Sequence, residues 1–382
     1  MKLSPPVINR DAYVAQMMRA VHQAGWGGRE QLSVRDLPRP VPGVGSVLVR
    51  VMAVSIHAGD HHMLSGRPYL IRLLGRRDVP GMDFAGVVET VGGPAVGSSA
   101  DTETVLAPGD HVLGTADVRC GAFAEFVCVP LGNVVLKPAN VTWEEAAALP
   151  TSAETALQAL RSGGIGSYEK VKSGHRVLIN GGSGGVGSFA VQLAKHFGAR
   201  VTAVCSTRNV DLVSSLGADE VIDYTKETIE GYSKAHGNVK YDTIIDAVGR
   251  YSWRHLLAPS GALVAVSLPN PETECVPCGL CHVACFSSFC CCCLFSRKSK
   301  AFMQTVSTRD LSFLANLVRD GKIRPALGLK LESLDAIPDA LAEHFDASNS
   351  FSRGHRVGKT VVTLSNARAT SPLDAPVPVA LE

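Results

Sequence analysis

The chain has 382 residues, with 37 Lys and Arg against 35 Asp and Glu for a net charge of +2, and 46% of its residues are hydrophobic. This length allows two or three domains of ordinary size with ample core, and the cations form no long stripe, which argues against a nucleic-acid partner. The most apolar window, Gly279 to Phe295, contains His282 and serines and is shorter than the roughly 20 residues a spanning helix needs, so no stable membrane span is expected.

In chain order, Met1 to Met18 shows no apolar core of a secretory signal, and Arg10, Arg19 and Asp11 make only a feeble transit peptide. Eight of the eleven cysteines crowd between Cys275 and Cys293, unlike a dispersed disulfide framework, so a reducing, cytoplasmic home is expected, with the mitochondrion as the alternative. From Met18 to about Lys137, short apolar runs such as Val47–Val51, Ala85–Glu89 and Ala124–Val129 alternate with Pro42-Gly43, Pro80-Gly81 and Pro108-Gly109, which predicts a β-rich domain. Ser98 to Thr104 reads as a polar surface insertion. Thr142 with Glu145 forms a predicted capping box that opens helical text running to Leu160.

An apolar run, Val177-Leu178-Ile179, then stops at Gly181-Gly182-Ser183-Gly184-Gly185-Val186-Gly187. Val186, Ala190, Leu193, Ala194 and Phe197 follow on one helical stripe up to Gly198, and a second apolar run, Val201 to Cys205, completes a strand, loop, helix and strand. In the G-x-G-x-x-G register, Gly182 is expected to make the tight turn, Gly184 to let a pyrophosphate approach, and Gly187 to let helix pack closely on strand. An NAD site wants a carboxylate at the end of that second strand, but Cys205-Ser206-Thr207-Arg208 offers none. Ser206 and Arg208, with Tyr224 from the next strand end, suit a 2′-phosphate, so NADP(H) is the expected cofactor. Strands Tyr241–Asp246, ending in Ala247-Val248-Gly249, and Ala262–Val266 extend a doubly wound parallel sheet, and a helix is predicted from Thr308 to Asp320. Residues 365–382, rich in Pro, Ala and Ser, read as a disordered tail.

These features, with Pro80-Gly81-Met82-Asp83-Phe84-Ala85-Gly86, Gly121–Phe126, Leu149-Pro150 with Thr155-Ala156, Leu216–Tyr224 and Gly354–Thr360, resemble the medium-chain dehydrogenase/reductase superfamily over residues 18–364. Within it the chain is similar to zinc-independent quinone-oxidoreductase-like and reticulon-interacting mitochondrial oxidoreductase-like members. The resemblance implies an α/β chain with a GroES-like catalytic domain (18–150, completed by 307–364) and a Rossmann cofactor domain (151–306). It also implies NADPH-dependent reduction of quinones or α,β-unsaturated carbonyls in the cleft between the domains, within a homo-oligomer. By that resemblance Thr155 lies near the nicotinamide, Tyr224 near the 2′-phosphate, and Asp246 to Gly249, with Ala247 and Val248 between them, along the cofactor; Ser183, Gly185 and Val186 of the glycine loop are further expected cofactor contacts.

Zinc-dependent relatives place a ligand Cys where this chain has His57, and a ligand His followed by Glu where it has Met82-Asp83, so a three-ligand catalytic zinc is not expected. The quinone-reductase branch usually carries Asn-Pro where this chain has His57-Ala58. Hydride transfer without a metal leaves an anion to be protonated or hydrogen-bonded. The candidate groups are His57, titrating near neutrality and oriented by Asp60, and the Tyr69 phenol. Against this stand a merely solvated loop around His57, His61 and His62, and proton supply by bulk water. The run Cys275, Cys278, Cys281 and Cys285 has iron–sulfur-like spacing, but adjoining Cys290–Cys293 with Phe289, Leu294 and Phe295 favours apolar packing or a subunit contact over metal, acylation or redox sensing. A cofactor-binding interaction or regulatory protein with little turnover is the alternative function.

Overall fold

In the computed structural model the described residues are 16–67, 69–93, 106–165, 174–249, 252–266, 299–301, 304–345 and 357–364. The insertion at Ser98–Thr104, the cysteine run and the tail therefore lie outside them. The front half is built on strands, as its alternating apolar residues and Pro-Gly turns require. β1 (Met17–Gln23) pairs antiparallel with β2 (Leu32–Pro38). The long β3 (Ser46–Ile56) is nearly all buried because it is covered on both faces. A short helix, α1 (Ala58–Ser65), follows it, and β4 (Asp83–Val91), β5 (His111–Thr115), β6 (Phe126–Pro130) and β7 (Val134–Leu136) complete this part.

The predicted capping box is present: Thr142 Oγ1 accepts from Glu145 N–H at 3.2 Å while Glu145 Oε2 accepts from Thr142 N–H at 2.9 Å. It opens α2 (Trp143–Ala148), but the helical text does not run on unbroken. Pro150 lacks an N–H to continue the ladder, so a separate helix, α3 (Pro150–Ser162), starts there with proline in its first turn.

The cofactor half contains β8 (Arg176–Asn180), α4 (Gly185–His196), β9 (Arg200–Cys205), α5 (Val210–Ser215), β10 (Glu220–Asp223), α6 (Ile229–Ala235), β11 (Tyr241–Asp246), β12 (Leu257–Ala265) and β13 (Ser299–Ala301). They form a six-stranded parallel sheet in the order β10-β9-β8-β11-β12-β13. The strand order reverses between β8 and β11, and in such sheets the crevice at the carboxyl ends beside the reversal takes the ligand. The α4 stripe is buried as its period requires, with Ala190, Leu193 and Ala194 fully inside and Gly198 turning at φ +89°.

Helix α7 (Thr308–Arg319) docks on α3 through Arg161 Nη2–Asp310 Oδ1 at 2.8 Å and a Gln158–Asp310 hydrogen bond at 3.1 Å. The chain therefore returns to the front half at β14 (Leu327–Glu332), after which come α8 (Ile337–Phe345) and β15 (Lys359–Thr363). β15 pairs antiparallel with β3, and the resulting sheet runs β14-β15-β3-β4-β5-β7 with β6 also on β3. The end of the chain is thus what ties the front sheet back to the cofactor half.

Candidate active site

The glycine loop opens directly from β8. Its left-handed residue is Gly181, at φ +80°, so the tight turn expected at Gly182 belongs one residue earlier. Gly182 serves packing instead, since a Cβ there would sit 3.0 Å from the Ala203 methyl. At Gly187 a Cβ would lie 2.0 Å from the Gly181 carbonyl oxygen, which makes glycine obligatory for the contact of helix and loop. Gly184 caps α4 in an extended conformation, and the nearest atom to a Cβ there is 3.4 Å away. Helix α4 starts there, and a helix N-terminus reached through a glycine is the arrangement that accepts a pyrophosphate.

Across the switch point Asn180 Nδ2 donates to Asp246 Oδ1 at 2.9 Å, and the same oxygen accepts from Val248 N–H and Gly249 N–H at 3.0 and 3.1 Å. This carboxylate pins the Ala247–Gly249 turn against the loop, with Val248 beside Gly181. Asn209, which sequence reasoning missed, ties the glycine loop to the end of β9: its Nδ2 donates to Ser183 Oγ at 3.0 Å and to Ser206 Oγ at 3.3 Å. Parallel register also places an acid, Asp223, beside Cys205. Its oxygens are already taken by Thr207 Oγ1 at 2.6 Å, by Thr225 N–H and Oγ1 at 3.0 and 2.7 Å, and by Lys226 Nζ at 3.3 Å. Desolvation opposes ionisation, yet those hydrogen bonds prevail and hold Asp223 down to about 2. Exposed Arg208 and Tyr224 stand on the same rim.

A second group sits where the two halves meet. His57 caps α1: its Nδ1 accepts from Gly59 N–H at 3.0 Å, while Asp60 Oδ2 accepts from His57 N–H at 2.9 Å. Accepting at Nδ1 leaves the neutral ring's proton on Nε2, which faces Asp60 Oδ2 at 3.8 Å and Asp83 Oδ2 at 3.6 Å. Asp83 also accepts from Thr151 Oγ1 at 2.6 Å, and Lys359 Nζ lies 3.9 Å from it while donating to Ser152 Oγ at 3.0 Å. All of these groups are buried except Thr151, which is partly so. Burial raises both aspartates and lowers Lys359, and it pushes His57 down to about 4.

His57 therefore does not titrate near neutrality as the sequence reading expected, and its Nε2 is shut from solvent without a hydrogen-bond partner among the described residues. Nor is it on a solvated loop, since His61 and His62 are helical and partly buried. Asp60 bonds the His57 main-chain N–H, and its carboxylate stays 3.8 Å from the ring Nε2. Tyr69 is not brought to this group: it is 67% exposed, with the Arg72 guanidinium 4.9 Å from its ring centroid. Thr155 is buried, and its Oγ1 donates back to Thr151 O at 2.6 Å.

The missed members Asp83, Thr151, Ser152 and Lys359 had one visible clue, a lysine in the valine-rich Val357–Val362 stretch. The halves are also joined at the cofactor loop, where Gly358 N–H donates to Ser183 O at 2.8 Å and Gly184 bridges Gly358. Gly358 takes φ +60°, and a Cβ there would meet Ala326 O at 1.9 Å. Met82 packs in one cluster with Met63, Ile71 and Cys120, and the Lys359 ammonium faces Asp83. No group of three His, Cys, Asp or Glu among the described residues is arranged to hold a metal.

Residues 43–139 match the alcohol dehydrogenase GroES-like domain, and residues 185–302 match a family described as zinc-binding dehydrogenase. The chain is 32% identical over 355 residues to the chloroplastic quinone-oxidoreductase QR1 of Triphysaria versicolor, covering 91% of this chain and 98% of that protein. It is 33% identical over 349 residues to the mitochondrial NAD(P)H oxidoreductase RTN4IP1 of Bos taurus, covering 83% and 81%. The quinone oxidoreductase structure from Coxiella burnetii superposes with a TM-score of 0.71 at 25% identity, covering 92% of this chain and all of that one. A GroES-like sheet locked through Gly358 to a Rossmann glycine loop, with relatives matching along nearly the whole length, makes this chain an oxidoreductase of the medium-chain dehydrogenase/reductase superfamily, in its quinone-oxidoreductase-like branch.

Proposed function

We propose that the protein transfers hydride from NADPH to quinones or α,β-unsaturated carbonyls without a catalytic metal. The observation that carries the cofactor choice is the rim at the ends of β9 and β10. Its buried acid, Asp223, has no acceptor capacity left for a ribose hydroxyl, while Ser206, Arg208 and Tyr224 offer donors to a 2′-phosphate. The glycine loop fits the pyrophosphate, and the nicotinamide when bound supplies the hydride. The Thr155 hydroxyl gives its proton to Thr151 O, so toward a carboxamide it presents only acceptor capacity.

His57, neutral at pH 7 and closed off from solvent, acts with Asp60 as a positioning residue. It fixes the start of α1 and the floor of the cleft, and the anion left on the acceptor takes its proton from water. Names among the relatives, including an NADPH-dependent alkenal/one oxidoreductase of Arabidopsis thaliana that matches over 63% of this chain, support the acceptor class. The test is steady-state NADPH or NADH oxidation against a panel of quinones and enones, before and after chelation. NADPH should outperform NADH by about ten- to a hundredfold, the worth of one or two charge-assisted hydrogen bonds. Equal use of both coenzymes, or activity lost on chelation and restored by zinc, refutes the corresponding part of the proposal.

A further inference from the structure

Four of the eight large apolar side chains exposed among the described residues gather in one place: Tyr69, Leu73 and Leu74 on the turn Tyr69–Leu74, and Val118 on the neighbouring loop. Arg77, three residues past the turn, ties the chain there to that loop, its Nε donating to Val118 O at 3.0 Å. Leu73 is 80% exposed, and isolated exposure of that kind is ordinary, but a cluster is not. The same segments carry Arg67, Arg72, Arg76, Arg77 and Arg119, against Asp117 and Asp78, the latter paired with Arg76 at 3.0 Å. Five arginines against two aspartates leave these segments at +3 in a chain that carries +2 in all, so the cationic excess is local and suits an anionic partner.

We infer that this patch docks the protein on an anionic lipid surface. Apolar side chains that enter the headgroup boundary, ringed by arginines whose stems snorkel outward, are the pairing that interfacial binding uses. Arg72 already lies over the Tyr69 ring, which leaves an amphipathic pair at the rim. No helix among the described residues is long and apolar enough to cross a membrane, so the contact lies in the interface. The inward side of the same turn is Ile71, which packs with Met63, Met82 and Cys120. Met82 adjoins Asp83 of the buried group, so docking sets the cleft one layer from the bilayer. The consequence that a lipid-dissolved quinone enters from this side rests on the acceptor class proposed above; the docking itself does not.

The experiment is co-sedimentation of the full chain with phosphatidylcholine vesicles, with and without phosphatidylserine, in the absence of cofactor and acceptor, so that failure of the reductase proposal leaves it unaffected. Binding should require phosphatidylserine and should fall steeply as salt rises from about 0.05 to about 0.5 M. Arg67→Glu with Arg72→Glu should weaken it at least roughly 30-fold, since each cation near an anionic surface contributes about fivefold. Leu73→Ser with Leu74→Ser should weaken it roughly tenfold, with unchanged circular dichroism and melting. Absence of binding at low salt, binding indifferent to phosphatidylserine, or equal binding by both variants overturns the inference. So does a patch variant that changes only self-association, which would assign the face to a second copy.

Discussion

Lys359→Met isolates the ion pair at the joint of the two halves. Lys359 and Asp83 are 2% and 0% exposed, and Nζ lies 3.9 Å from Oδ2. At an effective dielectric constant of about 20 that separation corresponds to roughly 4 kcal/mol of attraction, in line with the roughly 3–5 kcal/mol lost when one partner of a buried pair is removed. Asp83 keeps its bonds from Thr151 but loses its only nearby cation among the described residues, so its carboxyl, already raised by burial, rises further. An acid with a raised folded pKa favours the fold below that pKa and opposes it above. The defect must therefore grow as pH rises and shrink as falling pH returns a proton to Asp83. In thermal unfolding the variant should lose roughly 4–6 °C at the higher pH. Adding Asp83→Asn, which removes the stranded charge, should restore much of that. A loss independent of pH, or a double variant less stable than Lys359→Met, refutes the account.

Other expectations separate cofactor contacts from folding contacts. Gly184→Val puts a Cβ at ordinary contact distance, 3.4 Å, from the Gly181 carbonyl oxygen and should abolish NADPH-dependent thermal stabilisation with little change in apo stability. Gly187→Val drives a Cβ into the Gly181 carbonyl and should cost the fold itself. Arg208→Ala should erase most of the NADPH preference, measured as the ratio of dissociation constants for the two coenzymes. Glu154 is buried on α3, accepts from Ser307 N–H at 3.0 Å, and is pushed up to about 8 chiefly by burial. Its stabilising effect is complete below its ordinary pKa and disappears as pH rises through about 8, so Glu154→Gln should flatten the fall in melting temperature across that interval. Replacing Cys275, Cys278, Cys281 and Cys285 by Ala should leave hydride transfer intact, and metal lost together with activity in that variant would refute the metal-free reading.

What local order dictates was legible in the residues. Thr142 with Glu145 announced a helix start because capping needs partners only three residues apart, and the α4 stripe and Gly198 announced a helix and its stop for the same reason. The glycine loop was recognisable because its geometry is a run of neighbouring torsions, although the assignment of the positive φ slipped by one residue. Contacts that depend on distant segments had no such signal. Asn209 links Ser183 to Ser206 across the loop, and Asp223 reaches Cys205 only through strand register. Lys359 meets Asp83 because β15 returns to β3 after the entire cofactor half has intervened. The same return buried His57, and burial, not residue type, moved its titration out of the neutral range. The sequence by itself determined the elements, the dinucleotide loop and the family, because these follow from interactions between near neighbours. Only the tertiary structure decided which polar side chains share a desolvated space, and with it their protonation and their access to a substrate, since desolvation and Coulomb energies depend on distance in space and not on separation along the chain.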